Sequence, residues 1–188
     1  MQTVKSKTLA KNSVDGNGYV AFMNSSLSCD ELKEVQRSFY RGEYNSKLLR
    51  LSTIHLEIKC PIYVRLAFGE HDLSTLTQQT NRLEAFIPSI DMINSGNTTT
   101  DAEIQESIQQ NTEALLISPK GYRMDGCDTF IANTILPISV YNTTIVTGSL
   151  FDWLEFCDKQ APSNIKPYLE TIHKVLSVEF GYYVEKRN

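Results

Sequence analysis

The chain lacks most of the features that announce a function. Its 188 residues include only 4 cysteines, 3 histidines and 1 tryptophan. Cys29, Cys60, Cys127 and Cys157 are far apart and form no CxxC pair. That spacing argues against a zinc site or a disulfide framework and predicts reduced, mostly packed thiols. There is no glycine-rich phosphate loop, no serine-hydrolase pattern and no nucleic-acid-binding motif. No apolar run approaches the ~20 residues of a membrane span. The first residues carry Lys5, Lys7 and Lys11 without the apolar core of a signal peptide. These absences predict a cytoplasmic protein with no membrane contact. The sequons at Asn24, Asn97 and Asn142 would then never meet a glycosylating enzyme. A net charge of −4 is too mild and of the wrong sign for a nucleic-acid partner, although a local basic pocket could still hold a phosphate.

What is present is ordinary for a globular protein. Hydrophobic residues make up 41% and charged residues 21% of the total, which disfavours disorder and coiled coil. The length suits a single domain over residues 1–188, with neither repeats nor low-complexity tracts.

Local patterns predict an α+β fold with more helix than strand. Ser28 and Glu31 form a capping box ahead of Leu32, Val35 and Phe39, and Gly42 closes that helix. In TIHLEIKCP, Ile54, Leu56 and Ile58 alternate with His55, Glu57 and Lys59, the mark of a strand buried on one face that Pro61 stops. Residues 62 to 88 read as either helix or loop. SGNTTT (95–100) reads as a surface loop, and Thr100 with Glu103 as a second capping box opening a helix that ends before Pro119. A short helix is expected from Thr129 to Pro137, then a strand in ISVYNTTIV. Ser149 caps the apolar helix LFDWLEF, and a last helix carries Ile165, Leu169, Ile172, Val175 and Leu176 with Pro167 near its start.

From residue 50 to residue 178 the order of short phrases resembles the flavin-dependent thymidylate synthases. IKCPIYV matches that family's lysine-cysteine-proline turn and the hydrophobic run after it, and AFIP at Ala85 to Pro88 echoes its phrase FYIP. Ala132-Asn-Thr-Ile-Leu-Pro137 echoes Ala-Arg-x-x-Leu-Pro, and Ser149-Leu-Phe-Asp-Trp-Leu154 echoes Ser-Leu-x-x-Phe-Leu. The resemblance implies an antiparallel sheet packed with helices, a homotetramer, and a role in nucleotide metabolism. It also implies methylation of dUMP with FAD, NADPH and methylenetetrahydrofolate.

The family's signature, R-H-R-x-x-S-x-N-E-x-S-x-R-Y, falls on EHDLSTLTQQTNRL, from Glu70 to Leu83. Glu70, His71 and Asp72 stand where the family has Arg-His-Arg. Thr75, Thr77, Gln78 and Thr80 stand at its polar positions, and Arg82 at its third and last arginine. Asn133 replaces the arginine of Ala-Arg-x-x-Leu-Pro. By resemblance, Arg82 would hold a nucleotide anion while Thr75, Thr77, Gln78 and Thr80 donate or accept hydrogen bonds. His71 would be the proton carrier.

Glu70, Asp72 and Asn133 mark an altered cofactor site. Exchanging two cations for two anions swings local charge by about four units, and at ~5 Å and an effective dielectric near 20 each carboxylate–phosphate pair costs roughly 3 kcal/mol. That is more than about two decades in affinity per pair, so the usual FAD pose is expected to be lost. Side chains adjacent in sequence rarely converge on one centre, so no metal site is expected at Glu70-His71-Asp72. The expectation is therefore a pseudoenzyme or a module that binds a pyrimidine nucleotide or a protein. The alternative is a working one-carbon transferase acting on dUMP or a relative.

Overall fold

The computed structural model describes residues 11–41, 46–69, 73–78, 84–93, 97–124, 136–158 and 165–181. The protein divides into two compact units. One comprises Met1–Cys60, Val64–Gln78 and Thr143–Asn188, and the other Pro61–Tyr63 and Gln79–Asn142.

The first unit is built on a five-stranded sheet in the order β1-β2-β3-β5-β4. Its strands are β1 (Asn12–Ser13), β2 (Tyr19–Ser25), β3 (Ile54–Pro61), β4 (Ser74–Gln78) and β5 (Tyr141–Gly148), the last running on from the second unit. β2 pairs antiparallel with both β1 and β3, and β4 pairs antiparallel with β5. The alternation expected of β3 is present: Ile54, Leu56, Ile58 and Cys60 are fully buried, while His55, Glu57 and Lys59 are half-buried.

Helices cover the apolar side of this sheet. α1 (Cys29–Tyr40) opens with the predicted capping box, in which Glu31 N donates to Ser28 Oγ and Ser28 N donates to the Glu31 carboxylate at 2.8 Å. The Ser28 hydroxyl, which donates to the same carboxylate at 2.6 Å, and then the Ser28 N–H hold the Glu31 carboxyl below its usual pKa. α2 (Ser46–Leu51) precedes β3, and α3 (Ile62–Phe68) follows it. α6 (Leu150–Asp158) is capped by Ser149, whose Oγ accepts from Asp152 N at 3.1 Å. α7 (Lys166–Phe180) has Pro167 in its first turn, where a missing N–H costs nothing, and ends at Gly181 with φ 67°. Phe22, paired with Leu56, meets Phe180 edge-on at 5.8 Å, which places α7 on the apolar face. Trp153 and Phe156 of α6 close around Phe68 at 6.4 and 5.2 Å. The Trp153 indole N–H reaches Ile54 O at 3.5 Å, so the largest core side chain keeps its polar atom satisfied.

The second unit holds α4 (Ile90–Ile93) against α5 (Thr98–Met124), with Gln105 Nε2 donating to Pro88 O at 2.9 Å. An antiparallel bridge joins Ala85 to Val140, and Tyr63 meets Phe86 edge-on at 6.3 Å.

Three sequence expectations are corrected here. α5 starts at Thr98 rather than beyond Thr100, because Asn97 Oδ1 accepts from Thr99 N at 3.0 Å and Thr100 N at 3.4 Å and so fills the cap first. The loop expected over 95–100 is accordingly helical from Thr98 onward. Nor does α5 end before Pro119: it runs through that residue to Met124. A proline removes one helical donor and crowds the preceding turn, which a long helix can absorb as a local distortion. The helix expected over 129–137 falls largely on residues outside those described, as does Gly42.

Candidate functional site

Within the signature segment, Ser74–Gln78 forms β4, the edge strand beside β5. Thr75 pairs with Val146, Thr77 with Thr144 and Gln78 with Thr143. Positions 75 and 77 share the strand's alternation and 78 falls out of it, so the three candidate hydrogen-bonding positions are not all on one side of the sheet. Thr75 is exposed. Glu70, His71, Asp72, Thr80, Arg82 and Asn133 lie outside the described residues. Neither β4 (STLTQ) nor β5 (YNTTIVTG) contains a lysine, arginine or histidine, so these two strands bring hydroxyls and amides but no positive charge.

The sheet face opposite the helices carries a second polar group that the sequence reading did not single out. Asn24 of β2 is opposite His55 of β3, and Thr147 of β5 is opposite Ser74 of β4. The His55 Nδ1 and Thr147 Oγ1 atoms, 2.9 Å apart, share one hydrogen bond between β3 and β5, with the tautomer deciding which atom donates. On the neighbouring rungs the Tyr19 hydroxyl donates to Glu57 Oε1 at 2.8 Å, and Lys11 Nζ sits 4.0 Å above the Tyr19 ring. The alternation of His55, Glu57 and Lys59 already put these residues on one face. Their partners come from strands distant in sequence, and that was the missing signal.

Chemically, this face offers an imidazole, a carboxylate and hydroxyls at half-buried positions. It suits hydrogen bonding to a polar ligand better than nucleophilic attack. Among the described residues no group of three histidine, cysteine or acidic side chains is placed to hold a metal ion. Cys60, near the end of β3, is fully buried, and burial pushes its thiol up to about 12, as suits packed sulfur rather than a nucleophile. Among the described residues no helix is long and apolar enough to cross a membrane.

No family model and no curated protein matches this sequence. Solved structures do share its fold. One is the UMP/dUMP methylase PolB from Streptomyces cacaoi, solved bound with 5-Br dUMP, which superposes with a TM-score of 0.65 over 86% of this chain and 90% of its own at 12% sequence identity. At that identity the likeness is one of fold: helices and an antiparallel sheet arranged as in a protein that methylates UMP and dUMP.

Proposed function

We propose that this protein is a divergent relative of the flavin-dependent thymidylate synthases with an altered cofactor site, acting as a pseudoenzyme that binds a pyrimidine nucleotide or a protein partner. The observation that carries this reading is a mismatch. The fold is that of a UMP/dUMP methylase, yet Glu70 and Asp72 occupy the signature positions where the resembled family has arginines. A flavin dinucleotide carries a diphosphate. Two carboxylates at the segment's start, with uncharged β4 and β5 beyond it, do not fit such a group. Arg82 remains the cation for a single nucleotide phosphate, with Thr75, Thr77, Gln78 and Thr80 as hydrogen-bonding neighbours. A homotetramer in the cytoplasm belongs to the same reading.

The alternative is a working thymidylate synthase-like one-carbon transferase. It draws on the fold neighbour, which is itself a methylase. In it His71 carries the proton and Arg82 holds the substrate anion.

Absorbance and thermal melting of the purified protein separate the two. The proposal expects a colourless preparation whose Tm rises with dUMP or UMP and not with FAD. Ligand at about 100 times its Kd adds roughly 2.7 kcal/mol to stability. A yellow preparation with a flavin band overturns the proposal. If no nucleotide moves the Tm, the protein-interaction form of the reading is what survives.

A further inference from the structure

The β1–β2 turn reads Val14-Asp-Gly-Asn-Gly-Tyr19 and contains the one asparagine–glycine pair in the sequence, Asn17–Gly18. We propose that Asn17 is a site of spontaneous hydrolytic deamidation, and that a clasp between Asp15 and Tyr168 sets its rate. The reaction needs no enzyme and no oxidant. The Gly18 backbone nitrogen gives up its proton to solvent base and attacks Asn17 Cγ. The bond from Cγ to the amide nitrogen of Asn17 breaks and ammonia leaves, closing a succinimide ring. Water then opens either ring C–N bond, giving aspartate or isoaspartate. The balance is one water consumed and one ammonia released. Glycine favours the attack because no side chain shields its nitrogen.

Asn17 is exposed to water, whereas Gly18 is buried and held from three sides. Its N–H donates to Asp15 Oδ1 at 2.6 Å, and its carbonyl accepts from Val14 N at 3.0 Å. The second carboxylate oxygen, Asp15 Oδ2, accepts from the Tyr168 hydroxyl of α7 at 2.8 Å. A methyl group on Gly18 would collide with that hydroxyl, which measures how closely α7 covers the turn. A nitrogen whose proton points into a carboxylate is poorly placed to attack. The adjacent negative charge also opposes loss of that proton. Conversion therefore runs through the opened turn, and the clasp is its brake. The product carries a new carboxylate close to Asp15. In its isoaspartyl form it also inserts a methylene into the main chain beside the Ser13–Tyr19 rung.

The test incubates the intact protein at mildly alkaline pH and follows the gain of about one mass unit at residue 17 by peptide mapping. A synthetic peptide spanning residues 13–20 serves as the unrestrained reference. The wild type is expected to convert well below the peptide rate. Tyr168→Phe and Asp15→Ala should each speed conversion roughly tenfold, the effect of losing one hydrogen bond to a charged group. The buried Cys60 should stay unreactive to a thiol reagent in both variants, showing that only the turn has opened. Wild-type conversion at the peptide rate would overturn the proposal, as would no acceleration in either variant. So would acceleration that appears only together with Cys60 labelling.

Discussion

Ser52 Oγ accepts a hydrogen bond from the backbone N–H of Leu150 at 3.1 Å and donates its own proton to Leu49 O at 2.6 Å. One buried hydroxyl thus ties the end of α2 to the first turn of α6. Helix starts leave donors without intrahelical partners, and a buried one needs an acceptor. Ser52→Ala removes that acceptor and strands the Leu150 N–H, at an expected cost of about 1–3 kcal/mol. Urea denaturation reads this as a lower midpoint at unchanged slope. An unchanged midpoint would show that the bond contributes nothing.

Trp153 is fully buried between Phe68 and Phe156. Trp153→Ala is expected to cost about 3–5 kcal/mol, because the cavity left by a ring cannot collapse fully. Trp153 is also the only tryptophan in the sequence. Fluorescence of the wild type therefore follows unfolding of this cluster directly, and calorimetry measures the variant.

Thr144 is fully buried on β5, and its Oγ1 has no hydrogen-bond partner among the described residues. Valine has nearly the same shape without the hydroxyl. Thr144→Val should stabilise the protein by about 1 kcal/mol, since desolvating a lone hydroxyl is a net loss. A drop in Tm instead would mean that the hydroxyl has a partner that the substitution removes.

Burial holds His173 below its ordinary 6.5, with Asp158 pulling weakly the other way. In the folded protein the ring therefore stays neutral at a pH where the unfolded polypeptide already binds a proton. Stability falls as pH drops through 6.5 toward the lower folded value, and the loss is complete below that value. His173→Gln should flatten the plot of unfolding free energy against pH in this window. An equal slope in both proteins would assign the pH response elsewhere.

Arg82 carries the nucleotide-binding reading. Arg82→Ala should abolish the Tm rise with dUMP and leave the Tm without ligand nearly unchanged, because a cation kept for a ligand adds little to folding. A retained ligand shift in the variant would remove Arg82 from the site.

The legible parts of the fold are those where local chemistry and tertiary burial agree. The capping box at Ser28, the alternation of Ile54, Leu56 and Ile58, and the apolar run of α6 each buried the side that the pattern had marked. β4 was illegible for a physical reason. STLTQ is an edge strand whose Ser74, Thr75 and Leu76 are all exposed, so these three write no alternation of buried and exposed positions into the sequence. The start of α5 was misplaced because Asn97 and Thr100 are both good cap residues, and local pattern cannot say which one the backbone uses. The candidate site was legible only as a departure from a family motif. Thr75, Thr77 and Gln78 are now placed on β4, while Arg82, His71 and Thr80 lie outside the described residues. The hydrogen bond between His55 of β3 and Thr147 of β5 needed strand order, which no local window contains.

That strand order also governs how the protein is made. β3 is complete at Pro61, but its neighbour β5 starts only at Tyr141 and α6 only at Leu150. During synthesis from the N-terminus the ribosome must therefore deliver residues well beyond Leu150 before the row of Ile54, Leu56 and Ile58 can be roofed over. Until then that row is a sticky surface on a nascent polypeptide, inviting chaperones or unwanted self-association. Long-range strand pairing of this kind slows folding, so translation speed and chaperone supply should govern the yield of soluble protein.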